Sequence, residues 1–87
     1  MKTITILETS WCPYCKLARK LVEELKSENR NYQALTVDFI DEELHPDISK
    51  QYDYYYVPTL YVGDKKLHEG IPTKDIIKNA FDYTINL

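Results

Sequence analysis

Thr3, Ile4, Thr5 and Ile6 open the chain with β-branched residues on alternating faces, and the stretch from Met1 to Glu8 predicts a strand. From Pro13 to about Asn29, Leu17, Ala18, Leu21, Val22 and Leu25 return at helical spacing, with Lys16, Arg19, Lys20, Glu23 and Glu24 on other faces. This pattern predicts an amphipathic helix. Asn29-Arg30-Asn31 interrupts it, and the alternation of Leu35, Val37 and Phe39 predicts a second strand over Tyr32 to Ile40. A strand, a helix and a strand in succession imply a parallel pair joined by a right-handed crossover.

Beyond the acidic segment Asp41 to His45, Pro46 suits the first turn of a short helix reaching about Tyr52. Thr59 to Val62 and Lys66 to Glu69 flank Gly63-Asp64 as an antiparallel hairpin. Thr73 can cap a last helix with Ile76, Ile77, Ala80 and Phe81 on one face. The order β, α, β, α, β, β, α predicts an α/β fold: a four-stranded mixed sheet with helices on both faces.

Composition narrows the function classes. The 87 residues are enough for a single domain, 1–87, with no room for a second core. The formal charge of −3 is dispersed, with no basic run to neutralise phosphates, so nucleic acid is not an expected partner. The leading apolar stretch, Ile4 to Leu7, is too short for a signal-peptide core or a membrane span, so no membrane partner is expected and the expected location is cytoplasmic.

The chain has two cysteines, in Trp11-Cys12-Pro13-Tyr14-Cys15, too few for a multi-bridge scaffold. They fall where the first strand gives way to the first helix. Pro13 fits the first helical position, where its missing N–H would have no partner, and this makes Cys12 the N-cap. Amides one turn in can hydrogen-bond a cap side chain, and the helix dipole adds positive potential there. Both effects favour thiolate over thiol, so Cys12 is the expected nucleophile, with Lys16 adding a minor electrostatic contribution. Cys15, one turn on, is placed to close a disulfide with it. Cys12 would attack a substrate disulfide and Cys15 would displace the reduced product. Half a metal site and two incidental core thiols are the competing readings of the pair; His45 and His68 are candidate extra ligands, but their spacing forms no metal motif.

At these residues the chain resembles the glutaredoxin and thioredoxin families. Cys-Pro-Tyr-Cys resembles the dithiol glutaredoxin site, whereas the flanking Trp11 and Lys16 resemble the thioredoxin motif. Val57-Pro58-Thr59 is a second match. The resemblance implies a thioredoxin fold, βαβαββα, a cis Pro58 facing the cysteines, and a Val57 backbone that pairs with a bound substrate or glutathione segment. The sequence itself accommodates a trans proline at a strand start equally well. Trp11, Pro13, Tyr14, Val57, Pro58, Thr73 and Asp75 are the candidate substrate- or glutathione-binding residues.

The function implied is that of a protein-disulfide reductase with no tightly bound cofactor and with glutathione as a possible co-substrate. Its partners would be disulfide-containing proteins, with a reductase or glutathione as electron source. Three departures bear on the choice. Thr9 stands where glutaredoxins commonly carry a lysine that meets glutathione; Gly70-Ile71-Pro72-Thr73-Lys74-Asp75 matches their Gly-Gly segment only in part; and Ile6 stands where thioredoxins carry a buried aspartate. Glu8, at the strand end, is expected to be a solvated carboxylate. Tyr52, Tyr54, Tyr55 and Tyr56 precede Val57 and either line a docking surface or pack on the fold. By the same resemblance, an iron-sulfur-cluster module is the alternative function, disfavoured by Pro13, and a zinc or copper carrier is a third.

Overall fold

The computed structural model describes residues 3–87. Its sheet has the order β2-β1-β3-β4 and is built from β1 (Thr3–Glu8), β2 (Thr36–Asp41), β3 (Thr59–Val62) and β4 (Lys65–Glu69). The helices are α1 (Pro13–Glu28), α2 (Arg30–Gln33), α3 (Pro46–Ser49) and α4 (Lys74–Ile85). β1 pairs parallel with β2 and antiparallel with β3, which pairs antiparallel with β4. The mixed sheet and the order of its strands follow the hydrophobic pattern, and α2 is an added helical turn that the pattern does not predict. The part of the first strand's predicted span before Thr3 lies outside the described residues.

Alternation along β1 divides its side chains between two faces. Ile4 and Ile6 join Leu60 and the buried face of α1 (Ala18, Leu21, Val22, Leu25) with Ile77, Ala80 and Phe81 of α4 in one core cluster. Val37 and Phe39, paired with Ile4 and Ile6, pack against the same cluster. On the other face Tyr61 lies opposite Thr5, and Tyr52, just past α3, covers it with ring centroids 4.8 Å apart. Burial from both sides explains why β1 ends in Ile6, Leu7 and Glu8 all buried.

The expected second strand is shorter than Tyr32 to Ile40. Asn29 accepts the Asn31 N–H at 2.9 Å and starts the α2 turn, which places Tyr32 in a helical turn. There the ring is buried edge-on to Phe81 at 5.2 Å, and its hydroxyl donates to Asp82 at 2.5 Å. An aromatic residue of high strand propensity is thus held by tertiary packing in another conformation. α3 also stops earlier than expected, at Ser49. Thr73 caps α4 as its residue type suggests, its hydroxyl accepting the Ile76 N–H at 3.2 Å.

Candidate active site

The chain leaves β1, turns at 9–12 and enters α1 with Pro13 in its first turn and Cys12 as N-cap. The Cys12 carbonyl accepts the amides of Cys15 and Lys16 at 3.1 and 3.2 Å. The cap position is as expected, but its side chain makes no cap hydrogen bond. The sulfur instead faces across the site, and the thiol donates to the Val57 carbonyl, 3.8 Å away and 45 residues on. Long S–H contacts of this kind are weak, so the contact orients the thiol more than it holds it.

The Val57-Pro58 bond is cis, as the resemblance implies. Pro58 is buried immediately before β3, one residue ahead of the strand position expected of it, where its missing N–H leaves no sheet hydrogen bond unmade. The Pro58 carbonyl accepts the Gly70 amide at 2.9 Å, joining the end of β4 to this loop. Gly70 has φ +100°, a conformation open to glycine at little cost.

The two sulfurs have different surroundings. Both are free thiols. Cys12 keeps a small exposed edge, whereas Cys15 is 2% exposed. Burial pushes the Cys15 thiol up to about 12; hydrogen bonding from the Thr9 backbone opposes this, while neighbouring Cys12 and the negative charge of Glu8 add to it. Cys15 therefore stays protonated at neutral pH until something draws its proton away.

Glu8 is not the solvated carboxylate expected of it. Its side chain is 9% exposed and held by Arg19, with Nε to Oε1 at 2.9 Å and Nη2 to Oε2 at 2.5 Å. The Arg19 guanidinium also lies 4.1 Å from the centre of the Phe39 ring. These groups border a cavity of about 450 Å³ beside Cys15, lined by Glu8, Thr9, Cys15, Arg19, Phe39 and His45 among others. The Thr9 hydroxyl is buried there without a hydrogen-bond partner among the described residues. A sequence signal for the pair existed: Arg19 is one turn beyond Cys15 on the same helix face, within reach of the strand end that Cys15 packs against.

Of the candidate binding residues, Trp11, Pro13, Tyr14, Val57 and Pro58 surround or adjoin the cysteines. Trp11 is 70% exposed, and Tyr14 is also exposed. The tyrosine cluster divides: Tyr55 and Tyr56 are exposed, Tyr52 packs on Tyr61, and the half-buried Tyr54 hydroxyl donates to Glu42 at 3.4 Å. Thr73 and Asp75 do not join the site. The Thr73 hydroxyl is used by its own helix, and Asp75 lines a pocket with Leu25, Glu28 and Tyr32. That pocket lies toward the far end of α1, about 20 Å along the helix axis from Cys12. The partial Gly-Gly resemblance had suggested proximity that the packing of α4 against the end of α1 does not provide. His68 faces the Ile71 carbonyl at 2.9 Å, away from His45. Among the described residues no three His, Cys, Asp or Glu side chains cluster as a metal site would need, and no helix is long and apolar enough to cross a membrane.

The sequence pattern of the thioredoxin domain matches residues 2–82. The chain belongs to the thioredoxin-domain family. It is 29% identical to a thioredoxin of Methanocaldococcus jannaschii over 77 residues, covering 88% of each chain. It is 31% identical over 68 residues to a bifunctional thioredoxin reductase/thioredoxin of Mycobacterium leprae, where the match covers 78% of this chain but 14% of that longer protein. Among solved structures, a mutant thioredoxin from Halobacterium salinarum superposes with a TM-score of 0.72 at 21% identity, covering 98% of this chain and 75% of that one. The architecture is the thioredoxin fold, and the chain is a member of the thioredoxin-like disulfide oxidoreductases.

Proposed function

We propose that this thioredoxin-domain protein is a dithiol electron carrier that reduces protein disulfides. The observation that carries this reading is the asymmetry of the pair: Cys12 stands at the mouth of the helix beside the Val57 carbonyl, and Cys15 lies behind it with its proton held on. The Cys12 thiolate attacks one sulfur of the substrate disulfide, forming a mixed disulfide and releasing the other sulfur as a thiolate that takes up a proton. Cys15 then releases its proton to water, attacks the Cys12 sulfur and expels the second substrate thiolate, which takes up a proton in turn. Two electrons have passed to the substrate, and Cys12 and Cys15 are joined.

A flavoprotein reductase of the thioredoxin-reductase class is the proposed electron source. Three features favour it over glutathione: Thr9 in place of a lysine, a Thr73 hydroxyl already engaged, and an Asp75 remote from the sulfurs. The natural fusion of a reductase to a thioredoxin in the Mycobacterium leprae relative agrees with that pairing. Two cysteines, too few for a multi-bridge framework, suit a reducing compartment, and the proposed location is the cytoplasm.

Insulin reduction tests the reading. Turnover is expected with NADPH and a thioredoxin reductase, and little with glutathione and its reductase. Cys12→Ser should abolish turnover, and Cys15→Ser should accumulate the mixed disulfide. Preferential turnover with glutathione would overturn the assigned electron source, and full activity of Cys12→Ser would overturn the mechanism.

A further inference from the structure

The segment 53–57 has no regular structure, yet it carries the carbonyl that meets Cys12. Tyr54 anchors its start through Glu42, but the two side chains just ahead of Val57 do little to hold it, since Tyr55 is 86% exposed and Tyr56 71%. Its backbone is held from the sheet. One Glu69 oxygen, Oε2, accepts the consecutive amides of Tyr55 and Tyr56, the latter at 2.8 Å. The other oxygen, Oε1, accepts from Lys66 Nζ at 2.8 Å. On the far side of Val57 the Thr59 hydroxyl donates to the Tyr56 carbonyl.

We propose that Glu69 is a positioning residue for the disulfide chemistry. By clasping the two amides ahead of Val57 from β4, it sets the direction of the Val57 carbonyl and of the backbone edge along which an extended substrate segment pairs. The inference rests on the functional reading above. Substrate reach explains why it matters: a polypeptide disulfide uses that edge, whereas a small disulfide needs only the sulfurs. The Lys66 ammonium and the two amides hold the Glu69 carboxyl down at about 2, so the clasp stays charged wherever thiolates react.

The full chain, supplied with its reductase, is compared on insulin and on cystamine, a disulfide with no peptide backbone. Hydrogen bonds to a charged acceptor are worth enough that Glu69→Ala should lose about tenfold in kcat/KM on insulin, chiefly through KM, with less than a roughly twofold loss on cystamine. Glu69→Gln, whose amide oxygen can still accept both N–H groups, should recover to within about threefold of the parent. If the alanine variant does not fold, Glu69→Asp, too short to reach both amides, should show the same insulin-selective loss. Equal losses on both substrates, no loss on insulin, or a glutamine variant no better than alanine would overturn the positioning role while leaving the redox reading intact. A parent protein inactive on both disulfides would overturn that reading, and this inference with it.

Discussion

Arg19 grips Glu8 with two nitrogens at the edge of the cavity that holds Cys15, and the pair is lopsided: the Arg19 side chain is 50% exposed and that of Glu8 9%. Removing either partner therefore has unequal effects. A released guanidinium can turn to water, but a released carboxylate remains buried and unpaired. Arg19→Met should cost about 2 kcal/mol in urea unfolding, more than Glu8→Gln, and equal costs would show that the carboxylate finds water. Glu8→Gln should also lower the Cys15 pKa, since a negative neighbour is lost and a positive one loses its partner. Titration by thiolate absorbance reads the shift; a rise would refute the electrostatic role.

Alkylation should distinguish the two sulfurs. With Cys15 held up at about 12, its thiolate is vanishingly scarce at neutral pH. Brief iodoacetamide treatment of the reduced protein followed by peptide mass spectrometry should find the label on Cys12. Comparable labelling of Cys15 would show that the folded state does not withhold it.

Acid stability should carry the signature of Glu69. Its carboxyl is lowered from 4.5 to about 2 by Lys66 and the Tyr55 and Tyr56 amides. A depressed carboxyl stabilises fully above its unfolded value and loses that contribution as pH falls through its folded value. Thermal midpoints measured from pH 5 down to about pH 2 should fall less steeply in Glu69→Gln than in the parent. Parallel curves would mean that the carboxylate is not clasped in solution.

Thr73 offers a control for the glutathione question. Because its hydroxyl caps α4, Thr73→Ala should lower stability by about 1 kcal/mol. Insulin turnover with a thioredoxin reductase should not change. A selective loss of glutathione-linked turnover at unchanged stability would instead return Thr73 to ligand binding.

Much of this fold is visible in the sequence because its strong signals are local. Proline after Cys12 and the spacing of Leu21, Val22 and Leu25 fix α1, and Gly63-Asp64 fixes the hairpin. Tyr32 misleads because its conformation is decided by Phe81 and Asp82, some fifty residues away. The reactive pair is equally local, three residues apart beside a helix start. Its supporting groups are not: Glu8 looks like a strand end meeting water until α1 brings Arg19 over it, and Glu69 looks like a hairpin charge until the 53–57 backbone arrives. Asp75 shows the converse, a plausible ligand in a motif that the packing of α4 carries to the wrong end of α1.

The strand order leaves β2 and β4 on the outside of the sheet. Each is short, and β2 carries Asp38 and Asp41 with no cation among its residues. Two copies meeting along β2 would bring acidic edges together as their backbones began to pair, which discourages runaway self-association there. The sheet margin along β2 thus resists meeting its own kind.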